Sequence, residues 1–187
     1  MKMLPSIGMK ILKIINHYSF ILVATLLVSF ELVYILKGYW SGDFWEHSAV
    51  VNELSRNLLH PNNPIIQGNI PHPLISPYSV LVAIFSKITN LNPILALTYF
   101  AFFNLIFFLF SFHKFCVSVF RGKSGLVSTI SLLLILFFFG KNPLLWSGFY
   151  HILTLNYVLP YPSTFAMSLT FLILSLIWRG LCRYYLE

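Results

Sequence analysis

Acidic residues are the scarcest chemistry in this chain: five Asp and Glu in 187 residues, against 12 Lys and Arg. Only 9% of the sequence is charged, where a soluble domain carries about a quarter. That shortfall excludes an ordinary water-soluble domain. The two cysteines, Cys116 and Cys182, have no metal-site spacing and make no disulfide framework. Each follows an apolar run and reads as an inert thiol. No Asn-x-Ser/Thr sequon occurs, which favours a bacterial inner or plasma membrane over the endoplasmic reticulum. There is no internal repeat.

What fills the sequence is apolar: 58% hydrophobic, with a mean hydropathy of +0.80. Four stretches are long enough to cross a bilayer, at about 18–36, 93–112, 125–140 and 158–178. The third is short, and Asn142-Pro143-Leu144-Leu145-Trp146 extends it into the interface. The first follows Lys2, Lys10 and Lys13, as a secretory signal would. It is long enough to span and no small-residue cleavage site ends it, so it reads as a retained signal anchor. The Phe-rich runs (Phe102-Phe103, Phe107-Phe108, Phe137-Phe138-Phe139) read as lipid-facing bulk.

A fifth stretch, Pro77–Thr89, would reach only about 20 Å as a helix, short of a core of about 30 Å. Charge arbitrates. If it stays at the surface, the N-terminal side holds Lys2, Lys10, Lys13, Lys114, Arg121, Lys123, Arg179 and Arg183, and the other side only Lys37, Arg56, Lys87 and Lys141. If it crosses, the excess moves to the opposite side. The first arrangement obeys the positive-inside rule. The expected fold is therefore all-α and polytopic: one transmembrane module over residues 1–187, with four spans and both termini cytoplasmic. An external loop, 37–92, carries surface-lying juxtamembrane helices. The net charge of +7 serves orientation in the bilayer, and no nucleic-acid partner is expected.

The external loop gathers Asp43, Glu46 and Glu53 with His47, His60 and His72. Asp43 to His60 reads as an amphipathic helix, with Phe44, Val51, Leu54 and Leu58 on one face and Asp43, Glu46, Glu53 and Asn57 on the other. Asp43 with Glu46 three residues later fits an N-terminal capping box, which needs no catalysis. The same carboxylate also suits a general base at the outer surface. The two readings stay side by side. His47 stands one turn after Asp43, but no His-x-x-x-His pair exists, so a divalent metal has no ligand pattern and no cofactor is expected. Pro61, Pro64, Pro71, Pro73 and Pro77 keep the rest of the loop stiff and non-helical. Glu31, inside the first span, is costly unless it faces water or a partner. Asn104 reads as an interhelical hydrogen bond.

The succession of one outward helix, an acidic loop opening (Gly42-Asp43-Phe44-Trp45-Glu46), a proline motif (Pro71-His72-Pro73-Leu74) and a short surface helix (from Pro77-Tyr78-Ser79-Val80-Leu81) resembles the N-terminal part of the GT-C membrane glycosyltransferases. These include the protein O-mannosyltransferase and aminoarabinose transferase types. The likeness covers roughly residues 18–178. It implies transfer of a sugar from a polyprenyl-phosphate donor on the outer face, with Asp43 as catalytic base and Glu46 as a second catalytic candidate. Arg56 and Lys141 would steady the leaving phosphate, and His72 and His151 would stand on the substrate side. The partners implied are the bilayer, the polyprenyl-phosphate-linked sugar and further membrane subunits. The proline motif departs from the family's His-Pro-Pro-Leu, and the acidic motif is not an adjacent Asp-Glu pair. Family members have many more spans, so the chain corresponds to the first third to half of one. A fragment, a truncated product and a subunit that needs another chain all stay open, as does a non-enzymatic polytopic protein such as a transporter component or assembly factor.

Overall fold

A computed structural model describes residues 7–38, 40, 42–66, 70–120, 124–138 and 150–186. They form α1 (Ile7–Lys37), α2 (Phe44–Arg56), α3 (Pro77–Thr89), α4 (Pro93–Val119), α5 (Ser124–Phe138), α6 (Leu155–Val158) and α7 (Pro162–Leu186), with no strand among the described residues. Among the described residues, three segments are long and apolar enough to cross a membrane: Ile14–Lys37, Pro93–Val119 and Pro162–Cys182. The described residues are thus all-α, with three helices of membrane-spanning length. The third expected span is represented by α5, whose 15 residues reach about 22 Å. Its extension to residue 140 and through 142–146 lies outside the described residues.

Pairwise contacts give the helix directions. Phe107 meets Phe165 at 5.7 Å and Phe112 meets Phe171 at 5.3 Å, so α4 and α7 run parallel. The Leu126 amide donates to Asn16 Oδ1 at 3.0 Å and the Thr129 hydroxyl to Ser19 Oγ at 3.0 Å, so α1 and α5 run parallel too. Phe20 of α1 stacks on His113 near the far end of α4 at 4.4 Å, which sets the two pairs antiparallel. The α1–α5 approach is close because Gly125 faces the Asn16 backbone; a Cβ there would overlap the Asn16 carbonyl oxygen.

The short helix from Pro77 to Thr89 has the bounds that its sequence suggests, and its causes are local. Ser76 accepts from the Ser79 amide at 3.2 Å while Ser79 Oγ accepts from the Ser76 amide at 2.7 Å, a reciprocal capping box with Pro77 in the first turn. Asn90 at φ 56° ends the helix, and Asn92 starts α4 by accepting from the Leu95 amide at 2.8 Å. A three-residue turn therefore folds α3 back along the first half of α4, with Tyr78 and Phe85 both against Phe100. The axis of α3 thus follows α4, a helix of membrane-spanning length, and does not take the surface-lying orientation expected of it.

Two apolar clusters result. One joins α1, α4, α5 and residues 150–159; the other joins α2, α3, the first turns of α4 and Tyr161, with Trp40 packed against both. The Phe runs divide between them and lipid. Phe103, Phe137 and Phe138 are exposed, but Phe108 is buried and stacks on Tyr150 at 4.6 Å, so it is core and not lipid-facing bulk.

The largest departure from the expected spans lies ahead of α7. A continuous helix over 158–178 is replaced by the single turn α6, a break at residues 159–161, and a new helix from Pro162. Pro160 and Pro162 lack the amides that continuous helix would need. Three consecutive carbonyls lose the amide that a continuous helix would give them and find other partners: Val158 accepts from the Thr164 hydroxyl (2.5 Å) and the Tyr161 amide (3.2 Å), Leu159 from Asn104 Nδ2 (2.7 Å) and Pro160 from the Tyr78 hydroxyl (2.8 Å). Asn104 Nδ2 also donates to the Tyr78 hydroxyl at 2.9 Å. Asn104 is thus the interhelical bond expected of it, tying α4 to α3 and to the break.

Candidate functional site

The break aims Tyr161 at the N-terminus of α2. The opening amides of a helix have no intrahelical acceptor. Here the backbone amides of Asp43 and Phe44 donate to the Tyr161 hydroxyl oxygen. Gly42, at φ +62°, turns the chain so that the phenol can come near; a Cβ on Gly42 would stand 3.7 Å from that oxygen. Asp43 occupies the cap position, but its side chain makes no capping hydrogen bond. The capping box expected of Asp43 and Glu46 is therefore not formed. The oxygen that caps α2 comes from far along the chain, and the exposed Asp43 carboxylate is left for other work.

Below this carboxylate, α2 buries the face that its periodicity indicates. Phe44, Val51 and Leu54 are fully buried, joined by Val50 and His47, while Asp43, Trp45 and Glu46 are exposed. The helix stops at Arg56, short of the expected His60, because Asn57 leaves helical geometry and donates its carboxamide to the His60 carbonyl. Glu53 accepts from the Asn62 amide at 2.9 Å, so its carboxylate ties the loop to α2.

His47 is the buried centre of the site. Its ring lies 5.0 Å from that of Tyr161, at 33°. Burial lowers its pKa from the ordinary 6.5; Asp43 and Glu46 act in the opposite sense, and His72 lowers it further. The proline motif thus stands within electrostatic reach of the acidic one, and Leu74 and Ile75 pack on the cluster that seats α2. His72 is half-buried and fixed, its Nδ1 accepting from the Leu74 amide at 3.2 Å and its carbonyl from the Ile75 amide at 3.1 Å. Tyr161 is pushed up to about 12, first by burial and then by the Asp43 carboxylate, so it remains a neutral phenol.

Asp43, Glu46, His47, His72 and Tyr161 therefore form one group of side chains around the start of α2. Arg56 stands at the other end of that helix, about 20 Å away. It cannot touch a phosphate held beside Asp43. His151 lies elsewhere too: its neighbour Tyr150 packs on Phe108, about 17 Å along α4 from Leu97, which packs in the cluster that seats α2. Its Nδ1 accepts from the Leu153 amide at 3.3 Å. Lys141 lies outside the described residues. Among the described residues no three His, Cys, Asp or Glu side chains are grouped as metal ligands.

Sequence reasoning passed over Tyr161 because no charged residue lies within a helical turn of it. Its signal is the flanking Pro160 and Pro162, which hold a residue outside helical geometry immediately before a helix. No protein-family model matches the chain, and neither a curated protein nor a solved structure matches it.

Proposed function

We propose that this chain is a GT-C-like glycosyltransferase module. It takes a sugar from a polyprenyl-phosphate donor at the outer membrane face, with Asp43 as the base. One observation carries the reading: the carboxylate that opens the first loop is exposed and free of capping duty, beside His47, His72 and Tyr161. In an inverting displacement, Asp43 accepts the proton of the acceptor hydroxyl or amine. The acceptor atom bonds to the anomeric carbon as the bond from that carbon to the phosphate oxygen breaks, and polyprenyl phosphate leaves with the electron pair. Glu46, one turn on, is the second carboxylate of the motif. His72, the proline-motif group whose charge acts on His47, would meet the sugar or its phosphate. Arg56 has no part in the step at its distance.

The competing reading, a transporter component, draws support from the helix break at 159–161. Transporters use unwound backbone carbonyls to hold ions. The three carbonyls here are already occupied by Thr164, Asn104 and Tyr78, which favours the transferase.

The test is transfer from labelled polyprenyl-phosphate sugars to water-soluble acceptors by the purified chain in lipid nanodiscs. Asp43→Asn should lower the rate by at least about 100-fold, the scale of a lost general base. Full transfer by Asp43→Asn would remove Asp43 from the mechanism, and no transfer from any donor by the intact chain would remove the activity from this chain alone.

A further inference from the structure

Glu31 sits two turns before the outer end of α1 and is 1% exposed. Neither of its carboxylate oxygens has a hydrogen-bond partner among the described residues. It lines a cavity of about 70 Å³ together with Phe30, Tyr34, Asn156 and Tyr157. Asn156 is buried, while Phe30, Tyr34 and Tyr157 are each about two-fifths exposed and form the rim. A carboxylate inside a span is costly unless something offsets its charge. The cavity exceeds the space of one water molecule several-fold, so it has room for a small polar head.

We propose that this pocket is a binding site for a primary ammonium group, with Glu31 as its counter-ion. The lining selects that chemistry. A hard divalent metal takes six or more oxygen ligands at strict distances, and of the lining side chains only the Glu31 carboxylate carries the negative charge such an ion needs. An ammonium group on carbon brings three N–H donors, which the two Glu31 oxygens and the Asn156 carboxamide oxygen can accept. The aromatic rim adds cation–π attraction and covers the carbon atoms behind the nitrogen. Phe30 and Tyr34 already stand together, with ring centroids 5.1 Å apart. With its rim exposed near the end of a membrane-length helix, the pocket can take an ethanolamine head group from the bilayer or a free amine from solution. The site is separate from Asp43 and does not depend on the transferase reading.

Two arms distinguish the sources. In the first, the purified chain is offered equal amounts of phosphatidylethanolamine and phosphatidylcholine, and retained lipid is read by native mass spectrometry. In the second, the melting temperature in detergent is followed with added ethylammonium, against tetraethylammonium at equal ionic strength. Preferential retention of phosphatidylethanolamine, reduced at least tenfold by both Glu31→Gln and Asn156→Ala, assigns a lipid ligand. A rise in melting temperature with ethylammonium alone, absent in both variants, assigns a soluble amine. Asn156→Ala keeps the carboxylate and guards against a fold defect in Glu31→Gln. Equal retention of the two lipids with no ethylammonium effect overturns the proposal, and so does a preference that both variants retain.

Discussion

The hydroxyl of Tyr161 accepts from the backbone amide of Asp43, so the residue placed to cap α2 is itself capped from α7's leading edge. This contact joins the loop that follows α1 to the start of α7, a helix of membrane-spanning length. It makes the orientation of Asp43 depend on the helix break rather than on Asp43's own side chain.

Removing the phenol oxygen should therefore cost more stability than removing the carboxylate. Tyr161→Phe leaves the α2 amides without their acceptor and should destabilise the fold by about 1 kcal/mol, the usual worth of a helix cap. Asp43→Ala should change stability by less than about 0.5 kcal/mol, as for an exposed side chain. Thermal melting of the two variants in detergent compares them. An equal or larger loss in Asp43→Ala would return the capping role to Asp43.

Acid should loosen the same end of the molecule. Burial holds the His47 pKa below 6.5, helped by His72 and opposed by Asp43 and Glu46. A histidine that takes its proton at lower pH folded than unfolded leaves the unfolded state with more bound protons in the interval between. Stability is then complete above pH 6.5 and declines as pH falls through the folded value. Melting at about pH 7.5 and about pH 5.5, the range in which histidine charge changes, should show a larger drop for the wild-type chain than for His47→Gln. Identical drops would place the acid sensitivity elsewhere.

At the other face, Gly125→Ala and Gly180→Ala should separate cleanly. A methyl on Gly125 overlaps the Asn16 carbonyl oxygen, while one on Gly180 meets nothing within 4 Å. The first should destabilise by about 1–3 kcal/mol, as overpacking does, because helix backbones and not flexible side-chain ends must move. The second should be neutral or stabilising by up to about 1 kcal/mol through helix propensity. Size-exclusion profiles after graded heating report both. Equal behaviour would show that α1 and α5 do not meet at Gly125.

The sidedness inferred from charge has its own test. Ile88 is 76% exposed near the end of α3, whereas Ser86 beside it is buried with its hydroxyl on the Leu91 carbonyl. A cysteine at Ile88, in a Cys182→Ser background with buried Cys116 retained, should be labelled by a membrane-impermeant maleimide applied from outside. Labelling from the cytoplasmic side alone would invert the topology.

Short-range chemistry was readable before any coordinates. Pro77 with the flanking serines marks the start of α3, and the Asn90–Asn92 turn with Pro93 marks the start of α4, because each boundary is set by residues within one helical turn. The apolar face of α2 was readable for the same reason. The capping box offered for Asp43 and Glu46 does not form because a competitor for the α2 amides, Tyr161, becomes a neighbour only through folding. The expected span over 158–178 passed over a break whose cause, two prolines, was visible but whose stabilising partners, Asn104 and Tyr78, were not. Composition alone likewise assigned Phe108 to lipid, and the tertiary contact with Tyr150 moved it inside.

The three carbonyls of the break carry a consequence for the anchoring of the last helix. Their side-chain donors come from α3, α4 and α7, and bare carbonyls do not enter hydrocarbon without such donors. Two of those donors, Tyr78 and Asn104, belong to the α3–α4 hairpin, so the start of α7 is anchored by hairpin residues more than fifty positions earlier in the chain, and loss of either side chain would strip a break carbonyl of its partner.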